Sequence, residues 1–266
     1  MGVPVEFRSR EERRRDPVAT MRAHGTHNQP AGTWSDDASL TFCLAETLAR
    51  PGGLLGPPDL ADFARRCISW LDHAYWTATA ETFDVGNATR AAIGRLRQGV
   101  APTQAGPRTA LDNGNGALMR ILPLVFHQTW RAEPLDLDAA AYAQMAAVAK
   151  PWLCQGRNPA AVEEIHYRRV LNGTLPALPE AEIQSPGYVV HILEAALWCL
   201  LTHATYAATV LAAVNLGSDT DTTGVVAGGL AGLAYGEAGL PAEWLGPWRA
   251  APTLRRWLAA CRPPAS

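Results

Sequence analysis

Apolar residues along this chain recur at helical rather than strand spacing. Leu40, Cys43, Leu44, Thr47 and Leu48 share one face of a helix predicted over 39–49. Pro57-Pro58-Asp59 opens a second over 57–73, with Leu60, Phe63, Ala64, Cys67 and Leu71 inward and Asp59 as its N-cap. Asn87 caps a third over 88–98, which Gly99 ends. Further helices are predicted over 117–130 (with Arg120 inside), 137–150 (stopping at Pro151), 159–171, 188–202, 204–215, 222–236 and 254–260. No stretch alternates apolar and polar residues as a half-buried strand must, and no repeat is visible. The pattern predicts an all-α chain forming one domain over 1–266.

In the predicted helix over 222–236, Gly224, Gly228, Gly232 and Gly236 fall on one ridge. Each glycine costs a helix about 1 kcal/mol relative to alanine. Such a ridge predicts close approach of a neighbouring helix backbone along its length.

Composition narrows the function classes. Of the 266 residues, 48% are hydrophobic and 18% charged, and the net charge is -2. No basic surface is available to recruit nucleic acid or anionic lipid. The mixed-sign run from Arg8 to Arg15 reads as a solvated helix or loop. Five scattered cysteines without a C-x-x-C pair, and no apolar N-terminal signal, predict reduced thiols in a cytoplasmic protein. The apolar run 189–216 is broken by His191, Glu194, His203 and Asn215, and the run after Gly224 falls well short of the ~20 residues of a membrane span.

Candidate chemistry concentrates in two acidic motifs. Gly217-Ser218-Asp219-Thr220-Asp221-Thr222 places two carboxylates and hydroxyls at a helix start, and Ser35-Asp36-Asp37 repeats that set earlier in the chain. Taken singly, either is an ordinary N-terminal cap. Brought together, four carboxylates repel unless cations sit among them, which points to a two-metal site. An EF-hand is excluded: its twelfth position, which needs a bidentate Glu, is Leu230. His73, His127, His191 and His203 lack ligand spacing and read as core or surface residues.

These motifs resemble those of the ADP-ribosylglycohydrolase family, which includes the dinitrogenase-reductase-activating glycohydrolases. Ser35-Asp36-Asp37 resembles the family's Thr/Ser-Asp-Asp motif, and 217–222 its Gly-Gly-Asp-x-Asp-Thr motif with Ser218 in place of the second glycine. Asn113-Gly114-Asn115-Gly116 through Met119-Arg120 resembles the segment beside the substrate diphosphate, and Ser185-Pro186-Gly187-Tyr188-Val189 another pocket-lining segment. The likeness runs to about Trp244. Two departures stand out. The family's first helix carries Gly-Asp-Ala-Leu-Gly before an active-site Glu; Glu6 matches that Glu, but the sequence enters the motif halfway, at Met1-Gly2-Val3-Pro4-Val5. The family's Thr-His-x-His segment has no counterpart between Met145 and Pro159.

The resemblance implies a compact, single-domain orthogonal helical bundle around a dinuclear Mg²⁺ or Mn²⁺ centre. It implies Ser35, Asp36, Asp37, Asp219, Asp221 and Thr222 as metal ligands, and Asp37 or Glu6, beside Asp36, as the proton acceptor for an attacking water. Asn113, Gly114, Asn115, Gly116, Gly187, Tyr188 and Val189 would line the substrate site, with the amide N–H groups of 114–116 turned to the diphosphate. The implied activity is hydrolysis of the glycosidic bond joining ADP-ribose to a protein side chain or small molecule, by a protein acting as a monomer. Two alternatives remain: a non-catalytic ADP-ribose binder with a regulatory or toxin-neutralising role, and a two-metal hydrolase of phosphate esters. Two intact acidic sets favour catalysis.

Overall fold

The structure, a computed structural model, describes residues 1–50, 56–109, 111–128, 142 and 161–247. Its elements are α1 (Arg10–Arg15), α2 (Asp36–Leu48), α3 (Pro57–His73), α4 (Asn87–Arg97), α5 (Pro102–Ala105), α6 (Leu122–Gln128), α7 (Ala161–Leu171), α8 (Val189–Thr202), α9 (Tyr206–Asn215), α10 (Thr220–Tyr235) and α11 (Ala242–Leu245). Short 3-10 turns join them, the longest over Asn115–Arg120. Among the described residues there is no β-strand, only two isolated bridges, His24 with Gln29 and Gly114 with Tyr188. The fold is all-α, as the periodicity predicts. The helices expected over 137–150 and 254–260 lie outside the described residues.

Several boundaries differ from expectation for local reasons. Gly56, not Asp59, is the N-cap of α3; Asp59 sits in the first turn and accepts the Gly56 N–H at 3.1 Å. Gly86 likewise caps α4, with Asn87 its first helical residue. The helix expected over 117–130 divides into the 3-10 turn and α6, because Pro123 has no N–H to continue an α-helical ladder. Most consequential, α10 begins at Thr220, so Asp219 is its N-cap and Asp221 lies in its first turn.

The central layer is α8, α9 and α10. Ala195, Ala196, Cys199, Ala213 and Ala227 are fully buried between them, and these short side chains let the helices approach closely. The expected glycine ridge is only half right. A Cβ at Gly224 would lie 3.2 Å from Val214, and one at Gly228 would lie 3.4 Å from the Tyr206 hydroxyl, so these two make room for side chains of α9 rather than for its backbone. Gly232 faces open space and Gly236 is the C-cap, at φ 65°. The tightest glycine within α10 is one the ridge does not include: Gly229 packs against Leu122.

A second core joins α2, α3 and α4 to the 115–120 turn through Leu40, Cys43, Cys67, Trp70, Ile93 and Met119. A third places Val5, Val18 and Trp244 against Val210 and Val214 of α9. Helix α10 contacts α2, α8, α9 and the 115–120 turn, so its N-terminus is where the chain's separate parts converge.

The arginine-rich stretch is less solvated than its composition suggests. Ser9 and Glu12 form a reciprocal capping box at the start of α1. Arg13 is buried, and Arg10 sends its guanidinium inward to the carbonyls of Leu216, Glu180 and Ile183. Cys43, Cys67 and Cys199 are free, buried thiols. No helix among the described residues is long and apolar enough to cross a membrane.

Candidate active site

The turn before α10 is built by backbone constraints. Gly217 sits at φ 80°, and a Cβ there would lie 2.6 Å from the Arg10 amide nitrogen, so only glycine fits. Ser218 also lies in the left-handed region, at φ 63°. Its amide donates to Arg8 O and its carbonyl accepts from the Phe7 N–H, both at 2.7 Å. That pairing lays Val5-Glu6-Phe7 beside the turn. The Asp219 amide donates to Ser185 O at 3.0 Å, and the Ser185 hydroxyl donates to Gly217 O at 2.8 Å, fixing the turn to the 185–189 segment.

That segment in turn pairs with 113–116. Asn115 N–H donates to Gly187 O and Val189 N–H to Asn113 O, each at 3.0 Å, flanking the Gly114–Tyr188 bridge. Asn115 then donates its side-chain amide to Asp219 Oδ2 at 2.6 Å. The backbone N–H of Asn115 and its side-chain nitrogen are both engaged within the protein. Asn115 thus holds Asp219 with one of its two side-chain N–H groups.

The two acidic motifs do meet. Asp36 and Asp37 open α2 beside Asp221, and all three are buried. Carboxylate oxygens of Asp36, Asp84 and Asp221 lie within 4.8 Å of one another, as do those of Glu6, Asp219 and Asp221. The Ser35 hydroxyl donates to Asp37 Oδ2 at 2.7 Å, and the Thr222 hydroxyl is in hydrogen-bonding reach of Asp37 and Asp219. All six residues expected as metal ligands thus share one pocket with Glu6. Gly187 borders it, since a Cβ there would lie 3.6 Å from Asp219 Oδ2; Gly114 packs on the Gly187 carbonyl, Gly116 faces Arg120 and Thr89, and the Tyr188 ring faces His166 and His191.

Asp84 belongs to this group and carries no sequence signal of its own. It is a single acid in Thr82-Phe83-Asp84-Val85-Gly86, without a second carboxylate or a hydroxyl-and-acid set at a helix start. Its backbone, at φ 52°, is in the region that non-glycine residues seldom occupy, where strain marks functional positions. His27 was equally invisible: its ring nitrogen Nε2 meets Glu6 Oε2. Arg120, at the end of the 115–120 turn, brings a positive charge that acts on Asp36 and Asp37.

Electrostatics reflect the crowding. Burial, then the charges of Asp221, Asp84, Asp219 and Asp37, drives the Glu6 carboxyl far above the usual range. Burial and the neighbouring acids raise Asp36 and Asp37 well above theirs. Asp219 is pushed up to about 6 by burial and by Asp221. Four buried oxygens, Asp37 Oδ1, Asp219 Oδ1 and both of Asp221, make no well-formed hydrogen bond in the protein, although Ser35 and Thr222 lie in reach of Asp221. Buried acceptors left this way cost free energy unless another group satisfies them. Hard divalent cations, which take carboxylate and hydroxyl oxygens, fit that donor set.

The family model for ADP-ribosylglycohydrolase matches residues 1–262. The chain belongs to the ADP-ribosylglycohydrolase family. It is 31% identical over 267 residues to the ADP-ribosylarginine hydrolase Tri1 of Pseudomonas putida (strain GB-1), a match covering 92% of this chain and 69% of that protein. It is 27% identical to the ADP-ribosyl-[dinitrogen reductase] glycohydrolase of Rhodospirillum rubrum, over 92% of this chain and 84% of the relative. Among solved structures, an ADP-ribosylglycohydrolase-related protein complex superposes with a TM-score of 0.69 at 28% identity, over 98% of this chain and 91% of the other.

An apolar cavity of about 250 Å³, lined by Trp34, Tyr206, Val210, Val225 and Trp244 among others, touches Ser35 and Asp221 from behind. Its lining is wrong for a diphosphate, and it is distinct from the face where Glu6, Asp84 and Asp219 meet.

Proposed function

We propose that this member of the ADP-ribosylglycohydrolase family hydrolyses the glycosidic bond between ADP-ribose and an arginine side chain, with two divalent cations, Mg²⁺ or Mn²⁺. The observation that carries this reading is the set of buried carboxylate oxygens on Asp37, Asp219 and Asp221 that make no well-formed hydrogen bond. The two relatives named for ADP-ribosylarginine and for ADP-ribosylated dinitrogen reductase support the substrate class.

Ser35, Asp36, Asp37, Asp219, Asp221 and Thr222 would hold the cations, and Asp84 joins them through its place beside Asp36 and Asp221. When bound, the cations would offset the carboxylate repulsion and make a water molecule more acidic. Glu6 or Asp37 takes the proton from that water as its oxygen bonds to the anomeric carbon. The bond from that carbon to the guanidinium nitrogen breaks, the electron pair leaves with the nitrogen, and the proton taken up by Glu6 or Asp37 is passed to the released arginine. The developing positive charge on the sugar ring is stabilised by the surrounding acids. Gly114 and Gly116 let the backbone approach the diphosphate, while Gly187, Tyr188 and Val189 wall the adjacent pocket and Asn113 anchors them through Val189.

The test is release of ADP-ribose from ADP-ribosylated arginine, an ADP-ribosyl-serine peptide and ADP-ribose-1″-phosphate, each in EDTA and with Mg²⁺ or Mn²⁺. Metal-dependent release from the arginine conjugate supports the reading. Binding of ADP-ribose without turnover of any conjugate would overturn it in favour of a non-catalytic binder.

A further inference from the structure

Glu6 is held from outside the acidic cluster by a single turn. The 3-10 segment Gly25–His27 follows His24 and precedes Asn28, both with left-handed backbones at φ 62° and 51°. Three consecutive residues of this turn grip the Pro4–Glu6 backbone and side chain. Gly25 lies so close to the Pro4 carbonyl that a Cβ would overlap it at 1.9 Å. The Thr26 hydroxyl donates to Glu6 O at 2.7 Å, and the His27 ring meets the Glu6 carboxylate through Nε2. The turn is itself anchored: His24 N–H donates to Gln29 O, and the Gln29 side chain bonds Thr79 and Glu81, each at 3.2 Å, in the loop that leads to Asp84. The His27 ring is enclosed by Phe83 and Phe7, with centroids 5.2 and 6.1 Å away.

We propose that His27 is a positioning residue for Glu6: its Nε2 holds Oε2 and leaves Oε1 to face the reacting water. The two side chains share one hydrogen bond, Nε2 to Oε2, whose donor follows the tautomer of the ring and the protonation of Glu6. A carboxylate on a short loop otherwise samples two or more rotamers, and an oriented base of this kind commonly loses tenfold to a hundredfold when its partner is removed. Phe83, and the more exposed Phe7, pack against the ring and limit where it can swing. This inference rests on the proposed hydrolase reading only for its kinetic readout.

The experiment compares wild type with His27→Ala, His27→Gln, Glu6→Gln and the Glu6→Gln/His27→Ala double variant. Two readouts are taken: steady-state release of ADP-ribose from ADP-ribosylated arginine at saturating Mn²⁺, and the Glu6 side-chain position in crystal structures. Expected are a loss of tenfold or more in kcat for His27→Ala with KM within threefold, and recovery to within about fivefold in His27→Gln, whose amide keeps a donor. In the Glu6→Gln background, His27→Ala should add little. Glu6 should leave its rotamer in His27→Ala and keep it in His27→Gln. Additive losses, no rescue by Gln, or an unmoved Glu6 in His27→Ala would each overturn the proposal. Should wild type release nothing, the hydrolase reading fails alone, and the Glu6 position still decides the role of His27.

Discussion

Asn115 donates its side-chain amide to Asp219 Oδ2 at 2.6 Å, which leaves Asp219 Oδ1 buried without a well-formed hydrogen bond. One oxygen is pinned, and the other is turned to the shared pocket. Such outer partners of a metal-ligating carboxylate typically contribute tenfold to a hundredfold in metal affinity. Asn115→Ala should weaken Mn²⁺ binding by that range, measured by calorimetric titration, while Asn115→Asp should weaken it differently by adding a competing charge. Unchanged affinity in Asn115→Ala would show that Asp219 is not held this way.

Removing a carboxylate from the cluster should stabilise the metal-free protein. Asp221 is buried and raised by burial and then by Asp84, so its ionised form is unfavourable without a cation. In EDTA, Asp221→Asn should melt above wild type. With Mn²⁺ the order should reverse, because wild type gains about 2.7 kcal/mol at one hundred times its Kd and the variant loses that gain. Thermal melts with and without metal check both signs.

Ser218 occupies a left-handed position, φ 63°, where the family motif has glycine. Non-glycine residues there cost about 1 kcal/mol or more, partly offset by the larger unfolded-state entropy of glycine. Ser218→Gly should stabilise the chain by up to about 1 kcal/mol in urea denaturation. Ser218→Val, β-branched, should destabilise it.

Arg10 binds three backbone carbonyls, of Leu216, Glu180 and Ile183, from segments that flank the site. Arg10→Ala should cost on the order of 2–4 kcal/mol by leaving those acceptors unpaired. Arg10→Lys should recover little, since an ammonium cannot span the same fork.

Asp62 links α2 to α3 and carries the clearest pH dependence outside the site. Burial raises its pKa, but hydrogen bonds from Arg66 and Thr47 and the charges of Arg66 and Arg50 outweigh that and hold it at about 2. A pKa depressed in the folded state contributes stability above the unfolded value, near 4, that is lost as pH falls toward 2. With Arg50 and Arg65 partly exposed, screening leaves on the order of 1–2 kcal/mol. Urea melts between pH 5 and pH 2.5 should show that loss in wild type and not in Asp62→Asn.

The sequence carried the helical class and the site's two halves because both are periodic or local signals. The spacing of Leu40, Cys43, Leu44 and Leu48 reports a buried helix face, and two acids beside a hydroxyl at a helix start are visible without a fold. What stayed hidden depends on contacts between distant residues. Asp84 and His27 reach the site only because their loops are folded onto Glu6, and neither has a motif. Nothing local to Asn115 announces its bond to Asp219, which spans 104 positions. Glycine spacing likewise suggested one continuous ridge on α10, whereas α9 passes close only at Gly224 and Gly228.

The most direct test of a dinuclear centre assembled from the two acidic motifs is anomalous diffraction from crystals soaked in Mn²⁺. Two peaks should lie within coordination distance of the oxygens of Ser35, Asp36, Asp37, Asp84, Asp219, Asp221 and Thr222, and Asp221→Asn should lose at least one. No anomalous density in this pocket at saturating Mn²⁺, or peaks only elsewhere on the chain, would contradict it.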